Sequence, residues 1–307
     1  MIALVLAKQI ATLFFVMLVG FIVVKAGLLK SSDSRVVTIM HVYMGGPAVM
    51  ITAFQIDYTP EVRNGFLLAL ASALIIHLIM AIAVAIMKRP LRLTAIERAS
   101  LIYPNAGNLI FPLVLAIFGK EWLIYASAFL LVQQFLLWSV CLTTISGEPQ
   151  WNPKKLFRNV NLISITIGLL LFIFHINLPP IVMNTCDLLS DTYGPTAMIL
   201  VGMLLADVKW GDLLRNKRLY LITFLRMIAL PTGVILIMKA LNLSALVAGG
   251  ATIIYITLMT AMSASATTVT VQAQLYDKDP VYASQINIFT TLCCIVTMPI
   301  MTLLYQI

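Results

Sequence analysis

The chain has 307 residues, of which 61% are hydrophobic and only 10% charged, where soluble domains carry roughly 25% charged residues. That balance excludes a soluble globular class and describes a polytopic membrane protein. The net charge of +8 would suit a nucleic-acid partner, but the placement of the basic residues gives it a different meaning, and no nucleic acid is expected.

Taken in order, ten apolar spans are predicted, roughly at 2–24, 36–56, 65–87, 95–118, 122–145, 160–178, 190–206, 218–239, 247–275 and 281–305. The first is long enough to cross a bilayer and lacks the pattern of a cleavable signal, so it is read as a helix of the fold. Basic residues alternate between the connections. Lys25, Lys30 and Arg35 follow the first span; Lys88, Arg89, Arg92 and Arg98 follow the third. Lys154, Lys155 and Arg158 follow the fifth, Lys209, Arg215, Lys217 and Arg218 the seventh, and Lys278 the ninth. The opposite connections hold only Arg63, Lys120 and Lys239. Cytoplasmic loops carry the excess of Lys and Arg. Both termini are therefore expected outside the cytoplasm, in a multi-pass protein of the plasma (inner) membrane.

The fourth span contains the most unusual stretch, Tyr103-Pro104-Asn105-Ala106-Gly107-Asn108-Leu109-Ile110-Phe111-Pro112. Proline removes a backbone donor and blocks the helical bond behind it. Freed backbone groups at membrane depth persist only where protein or a water-filled cavity satisfies them. The stretch reads as a broken helix lining a polar site, against the plainer reading of a kinked helix whose asparagines bond to neighbouring helices.

Weak internal matches recur in one order. Val19-Gly20-Phe21 resembles Ile167-Gly168-Leu169, Gly46-Pro47-Ala48 resembles Gly194-Pro195-Thr196, and Ile86-Met87-Lys88 resembles Ile237-Met238-Lys239. Two halves of five spans each must lie in the membrane with opposite orientation, a common design of secondary transporters. The expected fold is thus an all-α polytopic membrane protein of ten transmembrane helices in two inverted five-helix repeats, with broken helices at spans 4 and 9. Residues 1–146 form the first repeat, 147–159 a cytoplasmic connecting loop, and 160–307 the second. The repeat makes span 9 the partner of span 4. Its centre, Met262 to Gln272, is rich in Ser, Ala and Thr but contains no proline.

With the fourth-span stretch, Gly46-Pro47-Ala48-Val49, Gly168-Leu169-Leu170 through Leu178-Pro179, and Gly194 to Leu205 resemble the auxin efflux carrier family of membrane transporters in its short bacterial form. Leu225-Arg226 with Leu230-Pro231, and Ala283-Ser284-Gln285 with Met298-Pro299, are similar to its eighth and tenth helices. Three positions depart from the family pattern: Ile110 in place of glycine, and Val160 and Ser263 in place of proline. The resemblance implies a scaffold of spans 1, 2, 6 and 7, a transport unit of spans 3–5 and 8–10, a homodimer, and elevator-like motion. It implies small organic anions as substrates, such as auxin in plants and dicarboxylates in bacteria.

Embedded charges are costly and are functional candidates. Only Lys8 and Arg226 are charged within the spans, and all 12 carboxylates lie in connections or near span boundaries. Lys8 is expected to snorkel to the interface, and His41, His77 and His175 to be structural. Arg226 could snorkel, cap carbonyls of a broken helix, or pair with a carboxylate substrate. A polar site without acids, built from asparagines, hydroxyls and half-helix N-termini, suits an anion. The expected substrate-binding set is Asn105, Gly107, Asn108, Pro112, Gln133, Arg226, Ser263, Ser265, Thr267 and Thr268. No catalytic residue, metal or cofactor is expected, since Cys141, Cys186, Cys293 and Cys294 show no ligand spacing; coupling to sodium or a proton stays open. The expected function is a permease for a small organic anion, with a ligand-sensing receptor on a transporter fold as the alternative.

Overall fold

A computed structural model describes residues 2–148, 159–208 and 210–306. Lys154, Lys155, Arg158, Lys209 and most of the connecting loop lie outside the described residues. The described residues are mostly helical and form no β-strand. In order, the α-helices are α1 (Ile2–Lys25), α2 (Ser34–Met40), α3 (Gly46–Thr52), α4 (Pro60–Lys88), α5 (Ala95–Ile102), α6 (Phe111–Phe118), α7 (Leu123–Leu136), α8 (Leu142–Ser146) and α9 (Val160–Ile173). There follow α10 (Pro180–Asp191), α11 (Tyr193–Leu205), α12 (Trp210–Arg215), α13 (Lys217–Phe224), α14 (Leu230–Leu241), α15 (Gly250–Ala261), α16 (Thr267–Leu275) and α17 (Pro280–Gln306). Among the described residues, six stretches are long and apolar enough to cross a membrane: Ala3–Lys25, Pro60–Lys88, Lys120–Ser146, Pro180–Leu205, Lys217–Leu241 and Pro280–Gln306. Ala106–Phe118, Val160–Ile173 and Gly250–Ala261 are shorter apolar helices.

Local chemistry sets the boundaries. Thr59 caps α4, accepting from Val62 N at 3.2 Å, with Pro60 in the first turn where its missing N–H costs nothing. Thr94 and Glu97 form a reciprocal capping box at the start of α5. Asn159 caps α9 through Leu162 N. Gly119, at φ +100°, ends α6 in a conformation that L side chains rarely adopt. Within the long helices, π turns at His41–Gly45, Ala106–Ile110 and Leu225–Ala229 sit directly ahead of Gly46-Pro47, Phe111-Pro112 and Leu230-Pro231. Each widened turn lets the ladder pass a residue that cannot donate. Pro180–Asp191 is helix, although the sequence pattern placed most of it in a connection. Asn184, Thr185, Asp187 and Asp191 lower its hydropathy without breaking the helix, and Asp187 pairs with Lys120 across the structure.

The helices group by packing. α1 lies along α11, and α3 packs on α9 and α10. In the other group α4 packs on α7 and α15, and α17 contacts α13 and α16 but also lies against α1 of the first. The α1–α11 seam depends on two glycines. A Cβ on Gly202 would lie 1.9 Å from the Met17 carbonyl oxygen, and one on Gly20 would lie 2.3 Å from the Ile199 carbonyl oxygen. Small residues permit this backbone approach where apolar solvent offers no hydrophobic drive. Gly202→Ala is therefore expected to lower the thermal midpoint of the detergent-purified protein, with an overpacking cost of about 1–3 kcal/mol. Gly233→Ala, which meets nothing within 4 Å, should leave the midpoint unlowered in the same measurement.

Candidate functional site

Two interrupted helices cross at the centre of the site. α5 ends at Ile102, and helical structure resumes at Ala106. α15 ends at Ala261, and α16 begins at Thr267. The non-helical segments pair as a short antiparallel bridge between Pro104 and Ser265. Asn105 N donates to Ala264 O at 2.8 Å, and Ala266 N donates to Tyr103 O at 2.9 Å. The second interruption forms without proline. Its run of small residues lets the backbones meet, and the bonds across the bridge replace those lost from the helix.

Side chains from surrounding helices satisfy the remaining freed backbone groups. Gln133 Nε2 donates to Pro104 O at 2.6 Å. The Thr290 hydroxyl accepts from Ser265 N at 3.1 Å, and Asn287 Nδ2 donates to Ser265 O at 2.6 Å. Arg226 is fully buried, at 0% exposure. It donates to Leu101 O at 3.2 Å and to Ser263 O at 2.9 Å, with Ala264 O at 3.5 Å. Of the three roles open to Arg226, capping is the one its contacts display. Lys8 is exposed on α1. His77 is buried, its Nδ1 2.8 Å from Ala73 O.

The half-helices meet with like ends together. The C-terminal ends of α5 and α15 meet at Arg226. The N-terminal ends of the Ala106–Phe118 run and of α16 instead open onto a cavity of about 50 Å³. Asn105, Gly107, Asn108, Gln133, Thr267 and Thr268 line it. Ser263, Ser265, Arg226 and Pro112 do not. The Ser263 hydroxyl donates back to Thr260 O at 2.8 Å, and Pro112 packs where a Cβ on Gly194 would lie, 3.0 Å away. Among the described residues the Asn105 side chain has no hydrogen-bond partner, although Asn105 is only 7% exposed. Gln133 Oε1 is buried and likewise unpartnered.

Gln134, Asn161 and Tyr193 also line the cavity but were absent from the expected site. The π turn of His41 supplies a further missed contact. His41 Nε2 lies 3.1 Å from Asn108 Oδ1, and its Nδ1 lies 3.2 Å from Thr196 Oγ1. Its ring stacks on Tyr193 with centroids 4.2 Å apart. One wall of the cavity thus comes from Asn161 of α9 and Tyr193 of α11, with His41 behind it, and the other from the crossing and α7. The position of Tyr193 beside Gly194-Pro195 was the one available sequence signal. His41 and Asn108 are 67 residues apart, so nothing local pairs them.

A larger cavity of about 750 Å³ has Arg92, Glu97, Arg218, Lys278 and Tyr282 in its lining and includes no residue of either interruption. Its charges largely compensate one another. Arg218 Nε and Nη2 reach Glu97 at 2.6 and 2.9 Å, and the Tyr282 hydroxyl donates to Glu97 at 2.9 Å. Glu97 is 1% exposed. This bidentate pair is a structural tie between the start of α5 and the start of α13. Three helix starts, at Ala95, Lys217 and Pro280, also border this cavity, but Arg218 and Glu97 are committed to each other and no residue of either interruption reaches it.

Apolar spanning helices, two interrupted helices and a buried polar cavity at their crossing define a polytopic membrane protein built around a central site. A family profile described as membrane transport protein matches residues 5–154 and 150–302. The chain belongs to this family, the auxin efflux carrier family of membrane transporters. A search of curated proteins found no match. Gln133→Leu, which uncaps the Pro104 carbonyl, is expected to destabilise the purified protein by about 1–3 kcal/mol. Gln134→Leu should cost less in the same thermal-unfolding series, since its Oε1 only accepts from Trp138 Nε1 at 3.2 Å.

Proposed function

We propose that this protein is a secondary transporter, a permease that moves a small organic anion such as a dicarboxylate or weak carboxylic acid across the plasma membrane. The observation that carries this reading is the convergence of two half-helix N-termini on one buried cavity lined by Asn105, Asn108, Gln133, Thr267 and Thr268. Helix N-termini carry partial positive charge and free N–H groups, and so favour an anion. The Asn105 amide, free among the described residues, can donate to a carboxylate. Gln133 Oε1, held in place by the bond from Nε2 to Pro104, can accept from a hydroxyl or a protonated carboxyl group.

The proposed architecture is ten transmembrane helices in two inverted repeats, 1–146 and 160–307, joined by residues 147–159. The double family match over 5–154 and 150–302 supports that division. The proposed scaffold of α1–α3 and α9–α11 would hold still while the remaining helices carry the crossing past it, as an elevator. Two observations support relative motion. The cavity lies where the two groups meet, with Asn161 and Tyr193 on one side and Asn105 and Thr267 on the other. A volume of about 50 Å³ has room for one or two waters, so a dicarboxylate enters only if the walls separate. A homodimer, with both termini outside the cytoplasm, completes the proposal.

Uptake of labelled four-carbon dicarboxylates into proteoliposomes tests it. The parent should carry them. Asn105→Ala and Asn108→Ala should each lose about tenfold or more in flux, the loss expected for one hydrogen bond to a charged group; Asn105→Ala should keep the parent's thermal midpoint, whereas Asn108→Ala also leaves buried His41 Nε2 without its partner and should lower it. Flux from Asn105→Ala equal to the parent's would remove Asn105 from the site. Ligand-induced stabilisation with no flux in sealed vesicles would point to a sensor instead.

A further inference from the structure

The crossing has a second face, opposite the proposed anion cavity. Carbonyls from the ends of two half-helices gather there: Leu101 from α5, Ser263 just beyond α15, and Ala264, which also accepts from Asn105 N. Carbonyls at a helix C-terminus lack intrahelical partners and carry partial negative charge. In secondary transporters with discontinuous helices, such unwound carbonyls and C-terminal ends coordinate the coupling ion. Here the guanidinium of Arg226 fills that position. It rises from the π turn Leu225–Ala229 and is fully buried. Its planar fork reaches both interrupted helices at once, Nη1 toward α5 and Nη2 toward the end of α15. The Met80 sulfur lies 3.7 Å from Nη1, Cys294 and His77 are close by, and Nε has no hydrogen-bond partner among the described residues. The two ion pairs among the described residues are Lys120–Asp187 and Arg218–Glu97, so no carboxylate neutralises Arg226 there. The carbonyl dipoles hold the charge.

We infer that Arg226 is a built-in counter-cation of the crossing and that this protein binds no sodium ion on that face. As a statement about coupling this rests on the crossing being the transport site; as a statement about ion binding it needs no substrate. If the charge is fixed in the protein, the crossing is organised at all times and does not wait for an ion. An anion of charge −1 in the opposite cavity would bring the pair of sites to zero net charge.

Melting the full-length protein in detergent, in sodium chloride against choline chloride at equal ionic strength, tests the inference. The parent should melt at the same temperature in both salts. Arg226→Gln should melt lower in choline and regain part of the loss in sodium, because three carbonyls and the new amide oxygen then offer an oxygen site to the bare ion. Arg226→Lys should fall between the two and ignore sodium, since its ammonium keeps the charge. A purely space-filling role for Arg226 predicts lower melting without any sodium response. A sodium-specific rise in the parent would overturn the inference, as would a folded Arg226→Gln protein indifferent to sodium. Should Arg226→Gln fail to fold, the parent and Arg226→Lys decide, a sodium response in either one counting against. Dicarboxylate flux is a separate readout. Flux that requires sodium would overturn this inference and leave anion transport standing, whereas absent flux would overturn anion transport and leave the melting result unchanged.

Discussion

The structure depends on satisfying backbone groups where two helices stop inside the protein. Each interruption exposes donors and acceptors that cost several kcal/mol apiece if left bare in an apolar surrounding. The two bonds between Tyr103–Asn105 and Ala264–Ala266 resolve this mutually, since each interruption supplies what the other lacks. Gln133, Arg226, Asn287 and Thr290 supply most of what is left. Gln133 on α7, Arg226 in the π turn ahead of α14, and Asn287 and Thr290 on α17 thus have one common task. They hold open a break that an uninterrupted helix would not need.

That break separates charge. Cutting two helices and crossing them places like ends together, with the positive N-termini facing the Asn105–Thr267 cavity and the negative C-termini facing Arg226. A continuous helix has these ends far apart at the membrane surfaces, where water screens them. Inside the protein they act at short range and in low dielectric. The proposed anion site and the inferred counter-cation are two consequences of the same geometry. His41 and Tyr193 add the link to the other helix group, and a cavity bounded by two groups can change shape when they shift.

Much of this was legible in the amino-acid order. The break after Tyr103 follows from Pro104, Gly107 and the two asparagines, because proline and glycine act locally on the backbone. The repeat made span 9 the partner, and the Ser, Ala and Thr of its centre gave the stretch, but Ser263 to Ala266 contains nothing that forbids a helix. Its interruption is a tertiary effect, stabilised by bonds to Tyr103, Asn105, Thr290 and Asn287 that lie far away in sequence. For the same reason sequence alone left three roles open for Arg226 and missed the contact of His41 with Asn108. The helix Pro180–Asp191 was obscured differently, since its polar residues resemble those of a connection when only hydropathy is weighed.

The most direct test of the crossing as an anion site is a structure of the protein with a four-carbon dicarboxylate bound. The account predicts carboxylate density within hydrogen-bond reach of the Asn105 and Asn108 amides and of the first N–H groups of the Ala106 and Thr267 half-helices, with Arg226 still on its three carbonyls. Density seated instead among Arg92, Arg218 and Lys278 in the larger cavity, or on Arg226 itself, would contradict it.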